Sequence, residues 1–160
     1  MILFGVLQEA LPPEVSLKSP ILTNPWEIYT RIEKSPLIRR VYLNKETFIR
    51  AMESFWFALE SERFVLFFEQ TPEGFGLRVH GFFFKNPFQD IQTLQEISQA
   101  LFKASSIERI EVVLLDRASR GIQRLLKAIG FVYEGRLRRA FRALSGRLLD
   151  GEIFSMIREG

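Results

Sequence analysis

The chain lacks cysteine altogether and carries one histidine in 160 residues. Without cysteine there is no disulfide, no thiolate zinc site, no iron–sulfur ligation and no thiol nucleophile. One histidine, His80, excludes the paired-histidine zinc motifs, and any Ser-His-Asp triad would have to run through it. No metal site is expected. Long apolar runs are also missing: none approaches the roughly 18 residues that a membrane span requires. The opening Met1–Leu7 (MILFGVL) is apolar, but no basic stretch precedes it and no small-residue cleavage site follows it. The expectation is a protein with no membrane partner. What is abundant is phenylalanine, with sixteen copies, eleven of them between Phe48 and Phe88. With 47% apolar residues the chain can bury a core, and its length suits one domain.

Acidic residues are scarce in one region. The net charge is +3, yet Arg117–Arg147 holds nine basic residues against one acid, Glu134. Such a block is either a solvated face or a surface for phosphate, nucleic acid or an acidic partner protein. Arg136 and Arg138 fall on one face of an alternating strand and Arg139 on the other, so the block need not be one patch.

Five of the seven prolines lie within residues 1–40. This region reads as a proline-rich N-terminal arm: a short strand at Ile2–Leu7, an extended stretch to Leu22, and a short helix opened by Asn24-Pro25. Residues 41–160 read as the domain proper. Asn44 is a helix cap, and Phe48, Met52, Phe55, Trp56 and Leu59 recur at helical spacing, predicting about four turns. Arg63–Gln70 and Phe75–Phe84 read as strands, with Gly81 marking a bulge or a close approach. A helix from about Asp90 to Lys103, a strand Glu108–Leu115 and a helix from Ser119 to Gly130 follow. A strand Phe131–Arg136 and a hairpin of Arg138–Arg142 with Leu148–Ile157 close the chain. The fold class is α/β (α+β): one domain with a central mixed, strongly twisted sheet flanked by helices.

The run Gly130-Phe131, Glu134-Gly135, Leu137-Arg138, Gly146, Asp150 and Ile153–Met156, preceded by Leu125-Leu126, resembles the C-terminal half of the GCN5-related N-acetyltransferase (GNAT) superfamily. The branch it resembles is the ribosomal-protein and aminoglycoside-type acetyltransferases. With the preceding strand and helix order, the resemblance covers residues 40–160. It implies a CoA thioester and a primary amine as partners, with acetyl-CoA held between two splayed strands and its pyrophosphate on the next helix N-terminus. Carried over by position, the cofactor contacts are Phe83, Phe84, Lys85, Asn86, Gln89, Asp90, Ile91 and Ser119.

The chain departs from the family pattern at that helix start. The family's turn there is glycine-rich. Here it is Lys85-Asn86-Pro87-Phe88-Gln89-Asp90-Ile91, which has no glycine, loses one N–H at Pro87 and carries an acid at Asp90. Leu126 stands where many members place a tyrosine acid, and Ser119 where many place an asparagine. His80 and Glu69 are the proton acceptors on offer, each with a plain alternative: a carbonyl-bonded histidine and a solvent-facing glutamate. N–H groups near Phe84 and Lys85 would receive the oxyanion.

Three functions fit these residues. The first is an acetyl-CoA-dependent N-acetyltransferase of the cytoplasm. The second is a GNAT-fold structural or interaction protein without catalysis. It resembles compact bacteriophage-encoded members with a degenerate phosphate loop, some virion-associated, and would use the N-terminal arm and Arg117–Arg147 to meet an assembly partner. The third is a basic nucleic-acid-associated domain, whose binding would weaken steeply with salt. A homo-oligomer is compatible with each.

Overall fold

A sheet that opens along one seam organises the molecule. The structure, a computed structural model, describes residues 2–18, 25–35, 44–115 and 120–159. Along the chain run α1 (Phe4–Ala10), β1 (Ser16–Lys18), α2 (Pro25–Lys34), α3 (Lys45–Met52), β2 (Phe57–Glu60), β3 (Phe64–Gln70) and β4 (Gly76–Phe83). A 3₁₀ turn, Pro87–Asp90, leads into α4 (Ile91–Lys103), followed by β5 (Arg109–Leu115), α5 (Arg120–Ile129), β6 (Val132–Arg142) and β7 (Leu148–Ile157). The strands form one seven-stranded sheet in the order β1-β2-β3-β4-β5-β7-β6. Every neighbouring pair is antiparallel except β4 and β5, which are joined through the crossover helix α4. This mixed sheet with helices on it is the architecture the sequence predicts.

Strand alternation divides the phenylalanines between two cores. Phe57, Phe64, Leu66 and Phe68 face α1, α4 and α5, where Leu7, Ile97, Leu101 and Leu125 cover them. Ala58, Val65, Phe67 and Phe82 face the other way, under Ile28 and Ile32 of α2 and Phe48 and Met52 of α3. Ring contacts tie each layer: Phe57 stacks on Phe68 at 4.7 Å and Phe55 on Phe67 at 4.9 Å. Asn44 caps α3 as expected, its side chain accepting from the Thr47 N–H at 2.8 Å.

Several local expectations are corrected. Ile2–Leu7 is not a strand; Phe4–Ala10 is helical, because Leu7 and Leu11 are inward at helical spacing while Leu3 and Val6 face solvent. Within the described part of residues 1–40, the expected extended stretch includes Ser16–Lys18, a strand paired to β2. The Asn24 cap lies outside the described residues. The helix from Asn44 stops at Met52, and Leu59 belongs to β2. The aromatic run after Ser54 is captured by β3, with the Trp56 N–H donating to Phe68 O at 2.7 Å. Phe131–Arg136 and Arg138–Arg142 are not separate strands: Val132–Arg142 is one strand interrupted by irregular register. Gly81 marks a close approach, since the β3–β4 register runs without a shift through it and an added Cβ would lie 3.2 Å from Leu66 Cδ2.

Candidate active site

β4 and β5 pair only from Gly76–Arg78 to Arg109–Glu111 and then part. Each is held by its other neighbour: β4 by β3 through Phe83, and β5 by β7 through Leu115. Sheet twist acting on two strands anchored on opposite sides opens the seam. The resulting cleft has a volume of about 450 Å³. Side chains from both faces of the sheet line it, including Phe55 and His80 from one and Leu94 and Leu125 from the other. A cleft with both linings passes through the sheet, so two molecules can meet in it from opposite sides.

The ladder settles which backbone groups face the gap. The Phe84 N–H donates to Arg63 O at 2.8 Å, so the even-numbered residues of β4 bond to β3. The odd-numbered residues therefore turn their N–H and C=O groups toward β5; the Arg78–Glu111 pair uses the Val79 N–H, and beyond it the Val79 C=O and both backbone groups of Gly81 and Phe83 face the seam. This corrects the expected oxyanion donor: the Phe84 N–H is already taken, and the open donors lie at Gly81 and Phe83.

Glu69 and His80 sit on adjacent strands with Glu69 Oε1 3.1 Å from His80 Nε2. The sequence offers them as separate groups; the structure joins them. The Glu69 carboxyl is held below the ordinary carboxylate range, chiefly by the hydrogen bond from His80, with the charges of His80 and Arg78 adding and burial opposing. An ionised carboxylate only accepts, so His80 Nε2 carries the hydrogen, and in the neutral form of the imidazole the lone pair is on Nδ1. Phe55 packs on the imidazole with ring centres 5.2 Å apart. The pair is anchored sideways: Arg78 lies 3.7 Å from Glu69 and 2.7 Å from Glu111. Glu111 in turn binds Arg109 at 2.8 Å, and Arg109 binds Glu134.

The loop before α4 is built from the inside. Asp90 is buried, with one carboxylate oxygen 2.6 Å from Arg63 Nε and the other without a partner. Arg63 also donates to Asn86 O and to Gln89 Oε1, each at 3.1 Å. Asn86 accepts from the Phe88 N–H at 3.0 Å, and the Gln89 N–H donates to Asn86 O at 3.3 Å. Asp90 makes no side-chain bond to the first turn of α4. Lys85 is exposed and has no carboxylate partner among the described residues.

The remaining sequence-selected residues are scattered around this site. Phe83 lines the cleft, and Ile91 opens α4, half-buried. Phe84 packs away from the seam under the Arg31 guanidinium, 4.2 Å from its ring centre. Ser119 lies outside the described residues. Leu126 is buried, so no acid occupies that position. Arg136 is paired with Glu152 at 3.1 Å and Asp150 at 3.8 Å, while Arg138 and Arg139 are exposed. Among the described residues no group of His, Asp and Glu is disposed to hold a metal, and no helix is long and apolar enough to cross a membrane. Sequence reading misses Arg63, Phe55, Phe141 and the open backbone of Val79 and Gly81, whose roles depend on contacts across strands.

No family model matches the chain, and no curated protein matches it by sequence. Solved structures match it closely in shape. The microcin C7 self-immunity acetyltransferase, solved with acetyl-CoA and AMP, superimposes with a TM-score of 0.69 at 15% identity, covering 96% of this chain and 99% of its own. The fold is that of the GNAT acetyltransferases. The GNAT-family acetyltransferase from Bacillus anthracis matches at 0.65 with 12% identity, over 90% of this chain and 95% of that one. The acetyltransferase of Salmonella typhimurium that modifies the N-terminal serine of ribosomal protein L7/L12 matches at 0.69 with 12% identity, over 92% and 97%. These likenesses are ones of GNAT fold.

Proposed function

We propose that the chain is an acetyl-CoA-dependent N-acetyltransferase acting on a primary amine. The observation that carries this reading is a cleft running through the sheet with a bonded Glu69–His80 pair in its wall. The structural neighbours named above include one solved with acetyl-CoA and one that acetylates a protein N-terminus.

The residues fit the narrow arm of acetyl-CoA. The cleft is apolar, and the Val79, Gly81 and Phe83 backbone offers donors and acceptors to an extended amide chain, as an added strand would use them. The phosphates meet a different surface from the glycine-rich turn of the family. The Phe88 and Gln89 N–H groups are engaged, which leaves the Lys85 ammonium and the uncapped first turn of α4.

Acetyl-CoA, when bound, supplies a thioester already activated toward nitrogen. The chain supplies a proton acceptor and a place for charge. His80 Nδ1 takes the amine proton while ionised Glu69 holds Nε2–H and stabilises the imidazolium that forms. N–H groups along the seam receive the negative charge of the attacked carbonyl oxygen. With Leu126 buried where a tyrosine would stand, His80 also returns the proton to the departing thiol.

Release of free thiol from acetyl-CoA, followed with a panel of primary amines, tests the reading. The expected result is amine-dependent release that disappears in His80→Ala. No release with any amine, together with no heat on titrating acetyl-CoA, overturns it. That outcome favours the non-catalytic GNAT-fold reading, for which the already engaged Phe88 and Gln89 N–H groups of the loop are the supporting observation.

A further inference from the structure

β6 is exposed along almost its whole length, yet Phe141 is turned inward and half-buried, into the cleft that holds His80. Three features produce that turn. Between Leu137, opposite Gly151, and Phe141, opposite Leu149, β6 has more residues than β7, so the strand kinks. Within the kink Arg139 adopts φ 50°, the one left-handed non-glycine among the described residues, and its N–H donates to Asp150 Oδ1 at 2.8 Å. Opposite it, Gly151 leaves the space the ring occupies. A Cβ at Gly151 would overlap the Phe141 ring and lie 3.0 Å from Val113 Cγ1. Gly151 is not left-handed, so room, not backbone freedom, is what glycine provides there.

An irregular strand, a strained residue and a glycine cradle all act on one side chain. A surface phenylalanine needs none of them. The ring stands on the β5–β7 bank of the cleft; Phe55 and His80 stand on the β3–β4 bank, reached from the same face of the sheet. The space between is bounded by aromatic rings, and the carboxylates nearby, Glu69 and Glu111, are already matched to Arg78.

We propose that Phe141 is a specificity-determining residue that selects amines carrying an apolar or aromatic group beside the nitrogen. The inference rests on the acetyltransferase reading and adds the acceptor class to it. The amine nitrogen approaches His80 while its apolar substituent lies between Phe55 and Phe141. Gly151 and the kink act through Phe141 as positioning elements.

Two probes, 2-phenylethylamine and ethanolamine, test it. In the native protein the aromatic amine has the lower KM. Phe141→Ala raises its KM about tenfold or more with kcat within about twofold, and leaves ethanolamine unchanged. Gly151→Ala, which displaces the ring, has the same effect, and Phe141→Leu, which keeps an apolar wall, restores part of the preference. Saturation-transfer NMR of 2-phenylethylamine gives a readout without turnover: its signal is lost in Phe141→Ala and kept in Phe141→Leu. An unchanged KM ratio in folded Phe141→Ala and Gly151→Ala protein overturns the inference and assigns Phe141 to shielding β7. If no amine turns over but the aromatic probe still binds through Phe141, the acetyltransferase reading fails and the binding wall stands.

Discussion

The seam between β4 and β5 and the loop Lys85–Ile91 lie end to end, yet they are built on opposite principles. Along the seam, the Val79 C=O and the backbone groups of Gly81 and Phe83 are left without a strand partner and the walls are apolar. In the loop, Arg63 binds Asp90, Asn86 and Gln89 at once, and the Asn86 side chain and carbonyl take the Phe88 and Gln89 N–H groups. An open ladder is costly to bury unless water, a side chain or a ligand completes it. A closed loop holds its own shape and offers little to a ligand. On the proposed acetyltransferase reading, the difference puts recognition in the acyl-bearing arm of the donor and makes the phosphate end secondary.

The strongest break of this comparison is chemical. His80→Ala is expected to lower kcat by about 10²–10⁴-fold while the acetyl-CoA affinity stays within about twofold, since His80 moves a proton and does not hold the donor. Steady-state rates and calorimetry on the same preparation check both halves. Next comes the loop: Arg63→Ala leaves the Asp90 carboxylate buried without its cation and should destabilise the fold by about 3 kcal/mol, read by urea unfolding. Losing acetyl-CoA affinity without losing stability would show instead that Arg63 serves the ligand. Then the donor is shortened: acetyl-pantetheine should bind within about tenfold of acetyl-CoA, and a thousandfold loss would restore the phosphates to first rank.

The acid dependence of stability sharpens the seam side. Glu69 has a folded-state acidity stronger than its ordinary value, so its pairing stabilises the fold above that ordinary value and is lost as the pH falls through the depressed one. Glu69→Gln should therefore be less stable than the native chain at neutral pH and converge with it in acid, measured as Tm against pH. The smallest effect belongs to the kink in β6. Arg139→Gly relieves a left-handed side-chain residue and should raise Tm by about 1–3 °C.

Much of the fold is legible in the sequence because periodicity reports burial. The aromatic-rich strands β3 and β4, the stripes of α4 and α5, and the helix–strand–helix order from α4 to α5 all emerge as read. The N-terminal segment misleads because MILFGVL carries strand-forming residues, and only its docking on α4 and the sheet selects a helix. The Asn44 helix reads too long because Phe55, Trp56 and Leu59 keep helical spacing by coincidence while β3 recruits Trp56 and Leu59 into a ladder. At the site, the sequence offers both Glu69 and His80 but not their union, which depends on a hairpin turn that brings positions eleven apart together. Arg63 and Asp90, 27 positions apart, give no local sign of pairing. Phe141 stays hidden because a strand kink is invisible to a pattern of period two.

The central claim is that the seam is a binding site completed by the donor. An amide NMR titration of the full chain with acetyl-CoA tests it most directly. The account predicts saturable shifts at the Gly81 and Phe83 amides and in the first turn of α4, with little change across β1 and β2. Unshifted Gly81 and Phe83 amides at millimolar acetyl-CoA would contradict it.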